Sequence, residues 1–137
     1  MKIQVQDRSN YLKGLLIIAR RDNVLTESEG KIIRSIANKL GFSSDFYEET
    51  LKNLLANEYL TEEPIKFSDE EISQSFILDG LRLAHSDNKL DEEELQWLRL
   101  TAEENNIDMR WFDKKVLESQ SKPIDLFETE FALFALI

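Results

Sequence analysis

Asp22 with Glu29, and Asp87 with Glu94, are the residues whose types and spacing best suit chemistry in this chain. In each pair the glutamate follows the aspartate by seven positions, and the aspartate is followed at once by asparagine, Asn23 or Asn88. Asparagine tolerates turn and left-handed backbone, so an Asp-Asn step ends one helix and the glutamate falls in the first turn of the next. Across so tight a connection both carboxylates can face one small space, with Thr26 or Asp91 adding a third oxygen. Oxygen-only clusters suit hard divalent cations such as Ca²⁺, Mg²⁺ or Mn²⁺. The candidate metal ligands are therefore Asp22, Glu29, Asp87, Asp91 and Glu94. The second turn is expected to bind more tightly, because Glu92 and Glu93 add charge around it. The calcium EF-hand does not fit. Its loop needs oxygen ligands at the third and twelfth positions, where this chain has Val24 and Ile33, or Lys89 and Leu98.

A second reading needs no metal. Thr26 with Glu29, and Asp91 with Glu94, form capping boxes, in which a side-chain oxygen satisfies backbone amides at a helix start. A glutamate there also meets the positive end of the helix dipole. Capping leaves Asp22 and Asp87 unexplained, since an aspartate at a helix C-terminal end faces the wrong end of the dipole and calls for a partner. A turn amide, a Lys or Arg, or a cation would serve.

No catalytic centre is expected. The sole histidine, His85, lies two residues before Asp87, but neither a second histidine nor a serine in an elbow motif accompanies it, and Arg20 stands at the matching place in the first turn. His85 reads as a capping or solvated residue. Four scattered glycines make no phosphate loop. The absence of cysteine removes disulfides, thiolate metal sites and thiol nucleophiles together and suits a reducing cytosol, so a cytoplasmic location is expected. Trp97 and Trp111 read as packing residues, or as a docking patch where exposed.

The elements that would carry these turns repeat. Sliding the chain on itself by 65 positions lays Ala19, Asp22, Asn23, Leu25, Glu27 and Glu29 over Ala84, Asp87, Asn88, Leu90, Glu92 and Glu94. In the same register Arg34 meets Arg99, Ala37 meets Ala102, and Phe46-Tyr47 meets Trp111-Phe112. One register held over so long a span reads as a duplication. Leu12, Leu15, Leu16 and Ala19 recur at helical spacing and predict a first helix near 8–21. Thr26 opens a second, with Ile32, Ile33, Ile36, Ala37 and Leu40 inward and Gly41 as its stop. Ser43 or Ser44 opens a third with core residues Phe46, Leu51, Leu54 and Leu55. The stretch around Pro64 is the linker. Ser68 with Glu71 opens a fourth helix running to about His85. Asp91 opens a fifth, carrying Leu95, Leu98 and Ala102, and Asp108 a sixth, with Trp111, Phe112 and Val116 inward. Pro123 suits the first turn of a seventh that runs to the end. Only Lys2–Val5 alternates like a strand. The expectation is an all-α single domain over 1–137: a compact bundle of about seven helices holding two pseudo-symmetric helix–turn–helix repeats, 11–57 and 68–120, and a C-terminal helix at 123–137.

Charge narrows the partners. The net formal charge is −10, of which residues 66–137 carry −9 and residues 1–65 only −1. Such a field repels phosphate backbones and excludes nucleic acid, while it favours cations or a basic protein surface. No apolar run reaches the roughly 18–20 residues a membrane span needs, so no direct membrane insertion is expected. The run Phe131–Ile137 reads as a segment docked on the core or offered to a partner.

The pattern Ala-x-x-Asp-(Gly/Asn)-x-hydrophobic-x-x-x-Glu, present twice in an all-helical chain from about Tyr11 to Phe112, resembles the TerB-like family of tellurite-resistance proteins. That domain type also occurs fused in some membrane-anchored co-chaperones. Asn23 and Asn88 depart from the glycine usual there, although asparagine keeps the left-handed option open. The resemblance implies a helical bundle with pseudo-twofold symmetry and a divalent metal held by Asp22, Glu29, Asp87 and Glu94. It implies a non-enzymatic module linked to tellurite resistance or stress response. The alternative is a metal-independent protein–protein interaction scaffold of the co-chaperone type. Either way a protein partner is expected.

Overall fold

Backbone signals at the helix ends set the element boundaries. The computed structural model describes residues 3–19, 27–56, 63–85, 92–121 and 132–136. The α-helices among them are α1 (Val5–Ala19), α2 (Glu27–Lys39), α3 (Ser44–Ala56), α4 (Glu70–Ala84), α5 (Glu92–Glu104) and α6 (Met109–Ser121), and a 3-10 turn follows at Ala132–Ala135. At the end of α2, Gly41 takes a φ of 94°, its amide bonds to the Asn38 carbonyl, and that of Phe42 bonds to Ala37. At the end of α5, Asn106 takes a φ of 57°, its amide bonds to Glu103, and that of Ile107 bonds to Ala102. Both are Schellman motifs, which need a residue that tolerates left-handed backbone. The next helices start at once: Ser43 Oγ accepts the Phe46 amide at 3.1 Å, and Asp108 Oδ1 accepts that of Arg110 at 2.8 Å.

The molecule is all-helical and compact, and no strand occurs among the described residues; Val5, at the end of the alternating stretch, opens α1. Two helices form the centre. In α1, Tyr11, Leu12, Leu15, Leu16, Ile17 and Ile18 are all buried, so more than one face of the helix is covered. It crosses α4, which buries Ile72, Phe76, Ile77, Leu81 and Leu83. Helices α2 and α3 pack on α1, and α5 and α6 pack on α4. Each of these large apolar side chains contributes about 1.5–3 kcal/mol on burial, which is why the crossing dominates the fold.

Close approach at the crossing depends on glycine. A methyl group at Gly14 would lie 2.4 Å from the Phe76 ring, and one at Gly80 would lie 2.7 Å from Leu98 and 3.0 Å from Ile18. Tyr11, Phe67, Phe76 and Trp97 then meet edge-on or tilted, with centroids 5.2–6.0 Å apart, an arrangement aromatic quadrupoles favour.

The linker between the halves is held by polar side chains. Asn105 accepts the Phe67 amide at 2.7 Å and donates to the carbonyls of Ile65 and Thr101 at 2.7 and 2.8 Å. The buried Asp7 accepts both the amide and the hydroxyl of Ser68. Ser68 is therefore not the cap of α4. That place belongs to Asp69, whose side chain accepts from Glu71 and Ile72.

Two further expectations are corrected. Phe46 is 44% exposed and stacks on Phe42, whereas Tyr47 is 1% exposed, so Tyr47, one turn before the core-packed Leu51, takes the inward place expected of Phe46. The tyrosine ring lies under the Arg34 guanidinium, and its hydroxyl donates to the Gly30 carbonyl. In α6 Phe112 is likewise fully buried and Trp111 only half-buried. Of the C-terminal helix expected at 123–137, residues 132–135 form the 3-10 turn and the stretch 122–131 lies outside the described residues.

Alanine is a better helix former than glycine by about 1 kcal/mol, so Gly14→Ala would stabilise an uncrowded helix. At this crossing it is expected to lower the thermal midpoint by several degrees, because overpacking a tight contact costs about 1–3 kcal/mol. A calorimetric midpoint unchanged or raised would show that α1 and α4 do not depend on the glycine.

Candidate cation-binding turns

The two candidate turns join helices that pack on each other: α1 to α2, and α4 to α5. Ala19, at the end of α1, and Ala84, at the end of α4, are both buried. Glu29 lies in the first turn of α2 beside Glu27, and Glu94 in the first turn of α5 beside Glu92 and Glu93. Acidic residues there complement the positive end of the helix dipole. Glu29 and Glu94 are both half-buried, and other groups of the protein already engage each of them. Asp22, Asp87 and Asp91 lie outside the described residues, as do Asn23, Asn88 and Thr26. Among the described residues no three acidic or histidine side chains gather as a metal site.

His85 is the C-cap of α4, its amide reaching the Leu81 carbonyl at 3.1 Å. It is buried rather than solvated. Its Nε2 stands 3.0 Å from Ser119 Oγ, but that hydroxyl donates to the Val116 carbonyl at 2.7 Å. The proton between the pair therefore belongs to the imidazole, which donates to serine. This is the reverse of a general base activating a nucleophile.

The acid that the fold treats most unusually is Asp79, in the middle of α4 and 1% exposed. Tyr11 donates its hydroxyl to Asp79 Oδ2, the Leu133 amide donates to the same oxygen at 3.1 Å, and the Ala132 amide donates to Oδ1. Ser75 Oγ is 2.9 Å from the tyrosine oxygen. Burial pushes the Asp79 carboxyl up to about 6, against the pull of Tyr11, the two amides and the Arg82 charge. Burial first, then the Asp79 charge, raises Tyr11 well above the ordinary phenol range. At neutral pH the carboxylate is thus ionised and the phenol is its donor. The sequence reading passed over Asp79, although the signal was present: an acid inside Phe76-Ile-Leu-Asp-Gly-Leu81 falls within an otherwise buried helix.

Asp79→Ala leaves two amides and a phenol without their acceptor, at about 1–3 kcal/mol for each group that stays buried. The variant is expected to lose about 2–4 kcal/mol of unfolding free energy in urea, by that same principle. Tyr11→Phe, which removes one donor, is expected to lose less. A loss below about 1 kcal/mol in Asp79→Ala, under the usual cost of an orphaned group, would mean that the carboxylate holds nothing together.

No known protein family, curated protein or solved structure matches the chain.

Proposed function

We propose that the chain is a non-enzymatic, cytoplasmic TerB-like module that binds a divalent cation, Ca²⁺, Mg²⁺ or Mn²⁺, at two repeated acidic turns. The ligands in this reading are Asp22 and Glu29 in the first turn and Asp87, Asp91 and Glu94 in the second. The observation that carries it is the recurrence of Asp22 and Glu29 as Asp87 and Glu94 at the 65-residue spacing at which side-chain interactions also recur. Arg34 pairs with Glu48 and lies over the Tyr47 ring. At the same spacing Arg99 pairs with Asp113 at 3.0 Å and lies over the Phe112 ring. The two Schellman ends and the Ser43 and Asp108 caps fall in the same register. These matches support a duplication of one helix–turn–helix unit, and a duplicated unit retains its turn chemistry where that chemistry has a use.

In this reading the cation ties the end of α1 to the start of α2, and the end of α4 to the start of α5. It thereby sets the angle of a surface that a partner protein reads. Any link to tellurite resistance is indirect, since direct tellurium chemistry would call for softer ligands than carboxylates and the chain has no cysteine. A metal-independent interaction scaffold is the second reading. What favours it is that Glu29 and Glu94 are already engaged by other groups of the protein, as capping would require. In both readings membrane insertion plays no part: no helix among the described residues is long and apolar enough to cross a bilayer.

Thermal unfolding of metal-stripped protein at fixed ionic strength separates the two. A cation at 100 times its dissociation constant adds about 2.7 kcal/mol when it binds only the folded state. In a domain of this size that is a shift of several degrees. The expected result is such a shift with at least one of Ca²⁺, Mg²⁺ and Mn²⁺, lost in an Asp22→Ala/Asp87→Ala double variant. No shift with any of the three would remove the metal and leave the scaffold reading.

A further inference from the structure

We propose that the 132–136 segment is a proton-coupled latch: its 3-10 turn docks on the α1/α4 pair through Asp79, and docking takes up a proton that release gives back.

The geometry comes first. A single 3-10 turn has no stability of its own in water, because its few internal hydrogen bonds do not offset the ordering they require. The Leu136 amide closes its end on the Leu133 carbonyl, at 2.9 Å. The turn holds its shape because it is docked. Among the described residues, the hydrogen bonds tying it to the rest of the chain are the Ala132 and Leu133 amides, both to Asp79. Leu133, fully buried, supplies the apolar contact. Undocking removes two of the three donors around the carboxylate and opens it to water.

The hydroxyl chain beside the carboxylate accommodates either protonation state. With Asp79 ionised, Ser75 donates to Tyr11 and Tyr11 donates to Asp79. With Asp79 protonated, the carboxyl donates to Tyr11, which turns its own proton towards Ser75. The 2.9 Å contact between the two hydroxyls permits donation in both senses. The carboxyl, the phenol and both amides keep a partner in either state, and the Ser75 hydroxyl is the one group of the network that gives up its acceptor when Asp79 is protonated.

The charges around the site set the direction of the coupling. Tyr11 on α1 and Arg82 on α4 are the titratable side chains that act on Asp79, the turn contributes only its amides, and α5 and α6 contribute no such group among the described residues. Burial holds the docked carboxyl at about 6, above the ordinary value of 3.8, to which a water-exposed Asp79 returns. Below about pH 4 both forms are protonated and docking is at full strength. From there to about pH 6 the released form loses its proton while the docked form keeps it, so docking weakens as pH rises. Above that both are ionised and the weakening is complete. At tenfold per pKa unit, the latch equilibrium changes by roughly 100-fold across the window.

The test is amide hydrogen exchange by NMR on the intact chain between pH 4 and 7, with each rate converted to a protection factor. Protection of Ala132 and Leu133 is expected to fall by roughly 100-fold relative to that of Ile77 and Leu81 inside α4, the same change converted at tenfold per unit. In Asp79→Asn, which keeps the shape but cannot titrate, the relative protection is expected to be flat. A wild-type ratio constant within about threefold, well under one pKa unit, would overturn the latch. So would a pH dependence that survives in Asp79→Asn. Should that variant fail to fold, the carboxyl ¹³C titration of Asp79 in the wild type decides: a midpoint near 6 supports the latch, and one in the ordinary carboxylate range ends it.

Discussion

The close crossing of α1 and α4 is the contact on which the rest of the molecule depends. Gly14 admits the Phe76 ring, and Gly80 admits Leu98 and Ile18, so at each place a side chain of another helix packs directly on the glycine backbone. Every other helix takes its position from this pair: α2 and α3 lean on α1, α5 and α6 on α4. A contact so tight leaves little tolerance, since packed interiors respond to the volume of a single methyl group. It also sets the chemistry of Asp79. With Tyr11 brought across from α1 and the 3-10 turn laid over α4, the carboxylate is enclosed by donors instead of water.

The outer helices are governed by different forces. Their amphipathic faces commit them to the centre, and their ends are closed by local bonds: a left-handed residue, a serine or aspartate cap, and an Arg–carboxylate pair spanning two helices. Such exposed pairs contribute little stability, commonly under about 1 kcal/mol. Their use is geometric. Arg34 and Arg99 each lie over an aromatic ring while reaching an acid on the following helix, and this orients α3 on α2 and α6 on α5.

Most of this architecture was legible in the sequence because it rests on period and punctuation. The stripes of α1 and α2, the stop at Gly41 and the cap at Asp108 all depend on nearest neighbours along the chain, and the structure has them where the residues place them. What was misread depends on contacts between residues far apart in sequence. Ser68 looks like a cap until Asp7, 61 residues away, takes both its amide and its hydroxyl. Phe46 looks like the core residue of α3, but the Arg34 side chain and the Gly30 carbonyl give Tyr47 the inward place. Asp79 reads as one more acid until Tyr11 and a segment more than fifty residues away close around it. The acidic turns themselves were legible as a recurrent pattern. Of their acids the structure describes Glu29 and Glu94, in the first turns of α2 and α5, where either capping or a cation accounts for them.

The α1/α4 crossing is filled in two different ways, and the difference has a physical cause. At the 65-residue spacing Tyr11 corresponds to Phe76 and Gly14 to Asp79. In one direction across the crossing an apolar ring meets a glycine, and the space is filled by carbon. In the other a phenol meets a carboxylate, and the space is filled by hydrogen bonds. A glycine beside a ring can only pack. A carboxylate buried at the same crossing has acceptor capacity beyond the single phenol, and backbone amides of another segment are the donors best able to use it without bringing in a second charge. The turn at Ala132–Ala135 supplies two. That contrast between Gly14 and Asp79 is what lets the crossing hold the 3-10 turn through hydrogen bonds on the α4 side.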